Sequence, residues 1–318
     1  MSNRRLIVSG SPHIHTGSSV KSRMWGVVIA LLPALAFSLY AFGIGALVVI
    51  AVSVLGCVMT EYLIQRYLIK GELTITNGSA VITGLLLAMN LPSNLPVWIV
   101  LIGCVVAIGL GKYAFGGLGQ NIFNPAILGR VFLLISFPQQ MTSWPLPMVN
   151  RASYLDATTG ATILGKMKLN ELVPDNVDLM GAFMGQMGGS LGEMCGLAIL
   201  LGGAYLLVRR IISWHIPVSI IATVALFSWC AGINPLVSIL SGGVLLGAVF
   251  MATDYVTSPM THKGMVLYGV MIGVITMIIR LWGAYPEGVS FAILIMNGFT
   301  PLINKYMRPR QFGERKVK

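Results

Sequence analysis

IGALVVIAVSVLGCVMTEYLIQ, residues 44–65, carries a single charged side chain, Glu61, in 22 positions. A continuous apolar run of this length spans the hydrocarbon core of a bilayer, which needs about 20 residues as a helix. In lipid the backbone must satisfy its own hydrogen bonds, so the run is a transmembrane helix. Comparable runs recur along the chain. The first half contains 24–42, 44–65, 79–91, 96–115 and 122–137, and the second 191–208, 214–230, 236–253, 265–282 and 288–304. The third is too short to span comfortably.

Composition agrees with this reading. The 318 residues are 56% hydrophobic and 10% charged, with mean hydropathy +0.82, whereas a water-soluble domain carries about 25% charge. The expected fold class is an all-α integral membrane protein of about ten transmembrane helices. Its divisions are a polar segment 1–22, a five-helix repeat 23–137, a loop 138–190, a second five-helix repeat 191–305 and a basic tail 306–318.

The net charge of +11 does not mark a nucleic-acid partner, because the basic residues sit where spans end. Sixteen of the 21 fall on one side: Arg4, Arg5, Lys21, Arg23, Arg66, Lys70, Lys112, Arg209, Arg210, Lys263, Lys305, Arg308, Arg310, Arg315, Lys316 and Lys318. The other side keeps Arg151, Lys166, Lys168 and Arg280, and Arg130 lies within the fifth segment. The positive-inside rule then places both termini in the cytoplasm and the 138–190 loop outside. Residues 1–22 lack the apolar core and cleavage site of a secretory signal, so the first span inserts the chain.

Five helices per half, an odd number, invert the second half relative to the first. Two matched features support the repeat. The short third segment ends in Pro92-Ser93-Asn94-Leu95-Pro96 and the eighth in Asp254-Tyr255-Val256-Thr257-Ser258-Pro259; Asn124-Pro125 in the fifth parallels Thr300-Pro301 in the tenth. Polar, proline-bearing interruptions are tolerated at membrane depth only inside protein or along a cavity. As a matched pair they place a central site between the halves.

Charged groups at membrane depth cost roughly 2.5–3.5 kcal/mol each and need a partner or water. Four are expected there: Glu61, Arg130, Glu193 and Asp254. Glu61 precedes Arg66 by about one turn, so a carboxylate reaching the cytoplasmic surface competes with a buried one. Glu193 closes a Ser190-Leu191-Gly192-Glu193 capping box at the start of the sixth helix, where an anion also docks. Asp254 lies in the polar run 253–261 with Thr257, a concentration of hydrogen-bonding groups suited to a flavin edge or an ion. Asn124, one turn into the fifth helix, offers an amide to a ligand, and Arg130 suits a carboxylate or a flavin carbonyl.

Other signals are plain. Cys57, Cys104, Cys195 and Cys230 lack the paired spacing of zinc or iron–sulfur sites. His13 and His15 are cytoplasmic, and His215 follows Arg209-Arg210 at an interfacial helix start. No Ser-His-Asp order suggests hydrolysis, and no phosphate-binding glycine loop of nucleotide sites occurs.

The 138–190 loop contains Asp156-Ala157-Thr158-Thr159-Gly160-Ala161-Thr162. Small residues make an accessible peptide, and a threonine hydroxyl joined to a flavin phosphate needs a separate enzyme to activate it. Read by itself, a threonine-rich loop is a solvated turn.

With Ser11-Pro12-His13, Leu32-Pro33-Ala34, Asn124-Pro125-Ala126, Gly129-Arg130, the 156–162 peptide, Gly189-Ser190-Leu191-Gly192-Glu193, Thr253-Asp254 and Thr257-Ser258-Pro259, the chain resembles the RnfD/NqrB family over nearly its whole length. These are membrane subunits of ion-translocating ferredoxin:NAD and NADH:quinone oxidoreductases. The resemblance implies FMN in phosphoester linkage to Thr162, the last residue of the family's attachment signal, with Asp156, Thr159, Gly160 and Ala161 as its other motif positions. It also implies a flavin transferase acting on the external face, an inverted-repeat architecture like that of urea transporters, and, as in some members, a second, noncovalent riboflavin, for which sequence assigns no ligands.

Within the family the chain is most similar to RnfD, since quinone-reducing members carry a longer N-terminal region. The resemblance then implies a flavin-carrying scaffold in a bacterial or archaeal inner-membrane translocase. That scaffold relays electrons between ferredoxin and NAD with Na+ or H+ transport, alongside the A, B, C, E and G subunits of the Rnf complex. The alternatives are an NqrB-type quinone-reducing subunit and a solute channel or flavin transporter.

Overall fold

The structure is a computed structural model that describes residues 19–70, 74–149, 154, 158–168, 178–185 and 188–308. Among these residues it is helical, the one β feature being an isolated antiparallel bridge between Pro145 and Thr159. The chain is an all-α membrane protein, as its apolar runs require.

The first half contains α1 (Val20–Phe42), α2 (Ile44–Leu63, continued by the π-helical Ile64–Ile69), α3 (Ser79–Met89), α4 (Val97–Val105, continued by Val106–Tyr113) and α5 (Pro125–Ser136). Among the described residues of the connecting loop three short helices follow: α6 (Pro138–Met141), α7 (Ile163–Lys168) and α8 (Leu179–Met184). The second half contains α9 (Gly196–Val208), α10 (His215–Cys230), α11 (Pro235–Leu240), α12 (Val244–Leu246, continued by Gly247–Met251), α13 (His262–Trp282) and α14 (Val289–Tyr306). Among the described residues, three helices are by themselves long and apolar enough to cross a membrane: Val20–Phe42, Ile44–Ile69 and His262–Trp282.

Packing repeats between the halves. α2 lies on α3 and α4, as α10 lies on α11 and α13, while α1 pairs with α9 and α5 with α14. The loop end of the bundle is tied together by Met148 N donating to Ala41 O at 2.9 Å and by Asn94 Nδ2 to Ser143 Oγ at 3.2 Å. At the opposite, basic end, Arg23 Nη1 donates to Arg210 O at 2.8 Å and Met260 N to Asn304 Oδ1 at 3.1 Å.

Three segments differ from their sequence reading. The eighth is broken by Gly242 and Gly243, whose φ values of 65° and 68° belong to the left-handed region and end α11 before α12 begins. The fifth begins at Pro125, so Asn124 is not inside a helix. It is the N-cap of α5, its Oδ1 accepting from Ala126 N at 3.1 Å, and Pro125 occupies the first turn, where a missing N–H costs nothing. The sixth helix starts at Gly196 behind Cys195, not at 191. Residues 190–193 are therefore no capping box; they form a turn, with Glu193 N donating to Ser190 O at 3.1 Å.

That turn has a different task. α3, 11 residues long, covers only about half of the hydrocarbon core and ends inside the protein with open carbonyls. Gly192 N donates to Met89 O at 2.7 Å and Leu191 N to Leu91 O at 3.2 Å, so the start of the second half caps the broken helix of the first. A Cβ on Gly192 would stand 2.7 Å from Met89 Cβ, which explains the glycine. The exchange is mutual: Asn124 Nδ2 donates to Met251 O, at 3.1 Å, where α12 and its continuation end.

Candidate functional site

The 156–162 peptide can be followed from Thr158. Thr158 O accepts from Leu146 N and Gly160 N donates to Trp144 O, both at 2.9 Å, pinning the peptide along 144–146. A Cβ at Gly160 would lie 2.8 Å from Leu146 Cδ2, the tip of an exposed side chain that can turn aside. Thr158, Thr159 and Ala161 are exposed, whereas Thr162 is half-buried and caps α7, its Oγ accepting from Gly165 N at 3.2 Å. Asp156 lies outside the described residues. α7 is tethered in turn: Lys168 Nζ donates to Gly283 O and, at 3.2 Å, to Tyr285 O, beyond the end of α13. Burial in that contact lowers the Lys168 pKa below that of a free lysine.

Among the described motif residues, Thr162 is the one that lines a crevice at the loop end. The crevice continues past Leu164 to Glu193, Ser241, Gly242 and Glu287. Around it stand four buried charges from both halves. Arg130 of α5 pairs with Glu287 and donates to Ser290 Oγ on α14, and its Nη2 lies 4.0 Å from Glu193 Oε1. Arg280 of α13 donates to Ser238 O at 2.7 Å, Ser241 O at 2.8 Å and Gly242 O at 3.2 Å, holding the break between α11 and α12. Glu193 Oε1 and the Nε atoms of Arg130 and Arg280 are buried without a hydrogen-bond partner. The lining is chemically compatible with the edge of a flavin: Leu164, Ala182, Met194 and Leu240 present apolar surface to a ring system, and Glu193 Oε1, which accepts no hydrogen bond, suits an N–H of its polar edge.

The other expected site residues gather elsewhere. Asn124 and Asp254 line a larger cavity toward the basic end between the halves, with Thr83, Asn121, Lys112 and Arg23. Thr257 is buried behind it, its Oγ1 donating to Asp254 Oδ2 at 3.2 Å and its carbonyl accepting from Thr300. Ser190 is fully buried and lines neither cavity.

Charge placement needs correction at three positions. Lys112 and Arg280, counted among aqueous residues, are buried, and Glu61 does not reach the surface. Lys112 Nζ donates to both Glu61 oxygens at 2.9 Å and to Ser79 Oγ at 2.8 Å, while Tyr113 OH donates to Glu61 Oε1 at 3.0 Å. Glu287 lies in a short connection with no apolar pattern around it, so no local signal marks its place at the crevice. Position near a span end cannot distinguish a snorkelling lysine from a buried one, because both follow an apolar run.

Fold and crevice together define a polytopic, all-α membrane protein of two repeated halves, with a loop-borne threonine held against a cluster of buried charges. The chain belongs to the NQR2, RnfD, RnfE family, whose sequence model matches residues 7–313. It is 48% identical to the D subunit of the Na(+)-translocating ferredoxin:NAD(+) oxidoreductase complex of Acetobacterium woodii, covering 100% of this chain and 98% of that one. It is 44% identical to the D subunit of the proton-translocating ferredoxin:NAD(+) oxidoreductase complex of Clostridium ljungdahlii, covering 97% and 96%. With the D subunit of the ion-translocating oxidoreductase complex of Stutzerimonas stutzeri, identity is 41% and coverage 93% of each. These names agree with the expected likeness to RnfD.

Proposed function

We propose that this chain is the membrane D subunit of an Rnf-type ferredoxin:NAD oxidoreductase complex and carries FMN in phosphoester linkage to Thr162. The observation that carries the reading is that Thr162, of the described residues of its motif, lines the charged crevice. When bound, the flavin supplies one- or two-electron transfer. The protein's part is placement: Lys168 holds α7 against the α13–α14 connection, Arg280 fixes the floor at Ser241 and Gly242, and Arg130 hydrogen-bonds Glu287 while Glu193 Oε1, 4.0 Å from the same guanidinium, accepts no hydrogen bond. Charge placement along the chain supports an external position for this loop.

The cavity toward the basic end suits a noncovalent flavin, with Thr83 and Asn121 offering a hydroxyl and an amide, while the Asn124 side chain at its wall is held by Met251 O and the start of α5. Such a flavin is riboflavin in this reading. The other Rnf subunits are the partners that deliver and remove electrons. Relatives named for Na+ and for protons match this chain almost equally, so the shared fold serves either ion.

Coexpression with a flavin transferase, followed by a denaturing gel, tests the attachment. A fluorescent band that disappears in Thr162→Val is expected. A dark wild-type band overturns it and favours a channel or transporter, whereas fluorescence that survives the substitution overturns the assignment to Thr162.

A further inference from the structure

The starts of α10 and α13 frame a groove at the basic end that neither flavin site uses. The imidazoles of His215 and His262 stack with centroids 4.4 Å apart, and the indole of Trp214 stacks on His215 at 4.2 Å. The groove is lined by these two histidines, Lys263, Val266, Leu267 and Val270, with no carboxylate among them. His215 Nδ1 is buried and has no hydrogen-bond partner.

Two chemistries meet here. Trp214 is exposed, and tryptophan at the end of a membrane helix marks headgroup depth. Its stack therefore sets the imidazoles and the exposed Lys263 level with lipid phosphates. Val266 and Val270, one turn apart on α13, continue the groove about 5 Å deeper per turn, along the acyl region. Stacked imidazoles beside an ammonium repel when protonated, and an anion among them removes that cost. A soluble anion would leave the apolar half of the groove empty.

We propose that this groove binds one anionic phospholipid, its phosphate held by His215, His262 and Lys263 and an acyl chain lying along Val266, Leu267 and Val270. The site is independent of the flavins. Native mass spectrometry of the purified full chain, offered dioleoyl phosphatidylglycerol or dioleoyl phosphatidylcholine, tests it. The expected result is preferential retention of phosphatidylglycerol, reduced about five-fold in Lys263→Gln and further in Lys263→Gln with His262→Ala. Inorganic phosphate should leave it in place. Both altered side chains are exposed, so an unchanged melting temperature is expected alongside. Equal retention of the two lipids, unchanged retention in the double variant, or displacement by inorganic phosphate would each overturn the proposal.

Discussion

The side-chain amide of Asn124 donates to the main-chain carbonyl of Met251 across 3.1 Å, while its oxygen caps α5. One residue of the first half thus closes the broken helix of the second. Asn124→Ala removes a cap worth about 1 kcal/mol and leaves a buried carbonyl open at a cost of about 1–3 kcal/mol. Asn124→Ser keeps the cap but cannot reach Met251. Thermal melting in detergent should rank wild type above Ser and Ser above Ala; equal melting of Ser and wild type would show that the bond to Met251 contributes nothing.

Lys112 and Glu61 form a buried ion pair within the first half. Removing one partner strands the other charge, at about 3–5 kcal/mol. Lys112→Met and Glu61→Gln should each reduce the folded yield, and the double substitution should recover it, since the neutral pair keeps an acceptor for Tyr113 OH. Size-exclusion profiles of the three variants decide; a double variant worse than either single one would refute the pairing.

Gly192 sits where the second half caps α3. Gly192→Ala places a methyl 2.7 Å from Met89 Cβ and 2.9 Å from Met89 O, an overpacking that costs about 1–3 kcal/mol. The expected outcome is a lower melting temperature with the Gly192 N to Met89 O bond lost. An unchanged melt would mean that the turn shifts freely.

Lys168 ties the loop to the end of α13. Lys168→Gln should leave thermal stability within about 0.5 kcal/mol, as for surface changes generally, yet speed proteolysis of the loop. It should not diminish flavin attachment, because a transferase requires an accessible peptide. Limited proteolysis and in-gel fluorescence read the two effects separately.

Much of the fold is legible in sequence because the bilayer simplifies the problem. Runs such as 44–65 have one solution in lipid, and each of the ten segments corresponds to a helix or a broken helix of the structure. The break at Gly242-Gly243 is not legible, since its neighbours are as apolar as those of an unbroken span. The start of α5 is ambiguous for a related reason: Asn124-Pro125 reads equally as a kink and as a cap followed by a first-turn proline. Of the candidate site, the peptide around Thr162 and the membrane-depth charges Arg130 and Glu193 are visible, whereas the burial of Glu287, Arg280 and Lys112 is not.

Sequence by itself determined the class of protein, its family and the loop that bears Thr162, because hydropathy, charge counts and short motifs are properties of neighbouring residues. Tertiary structure alone decided which charges are buried together, that Thr162 and not Thr158 or Thr159 faces the crevice, and how each broken helix is capped by the opposite half. Those outcomes depend on partners such as Arg130 and Glu287, far apart in the chain. In a low-dielectric interior a charge or an open carbonyl is tolerated only where the fold brings its partner within reach.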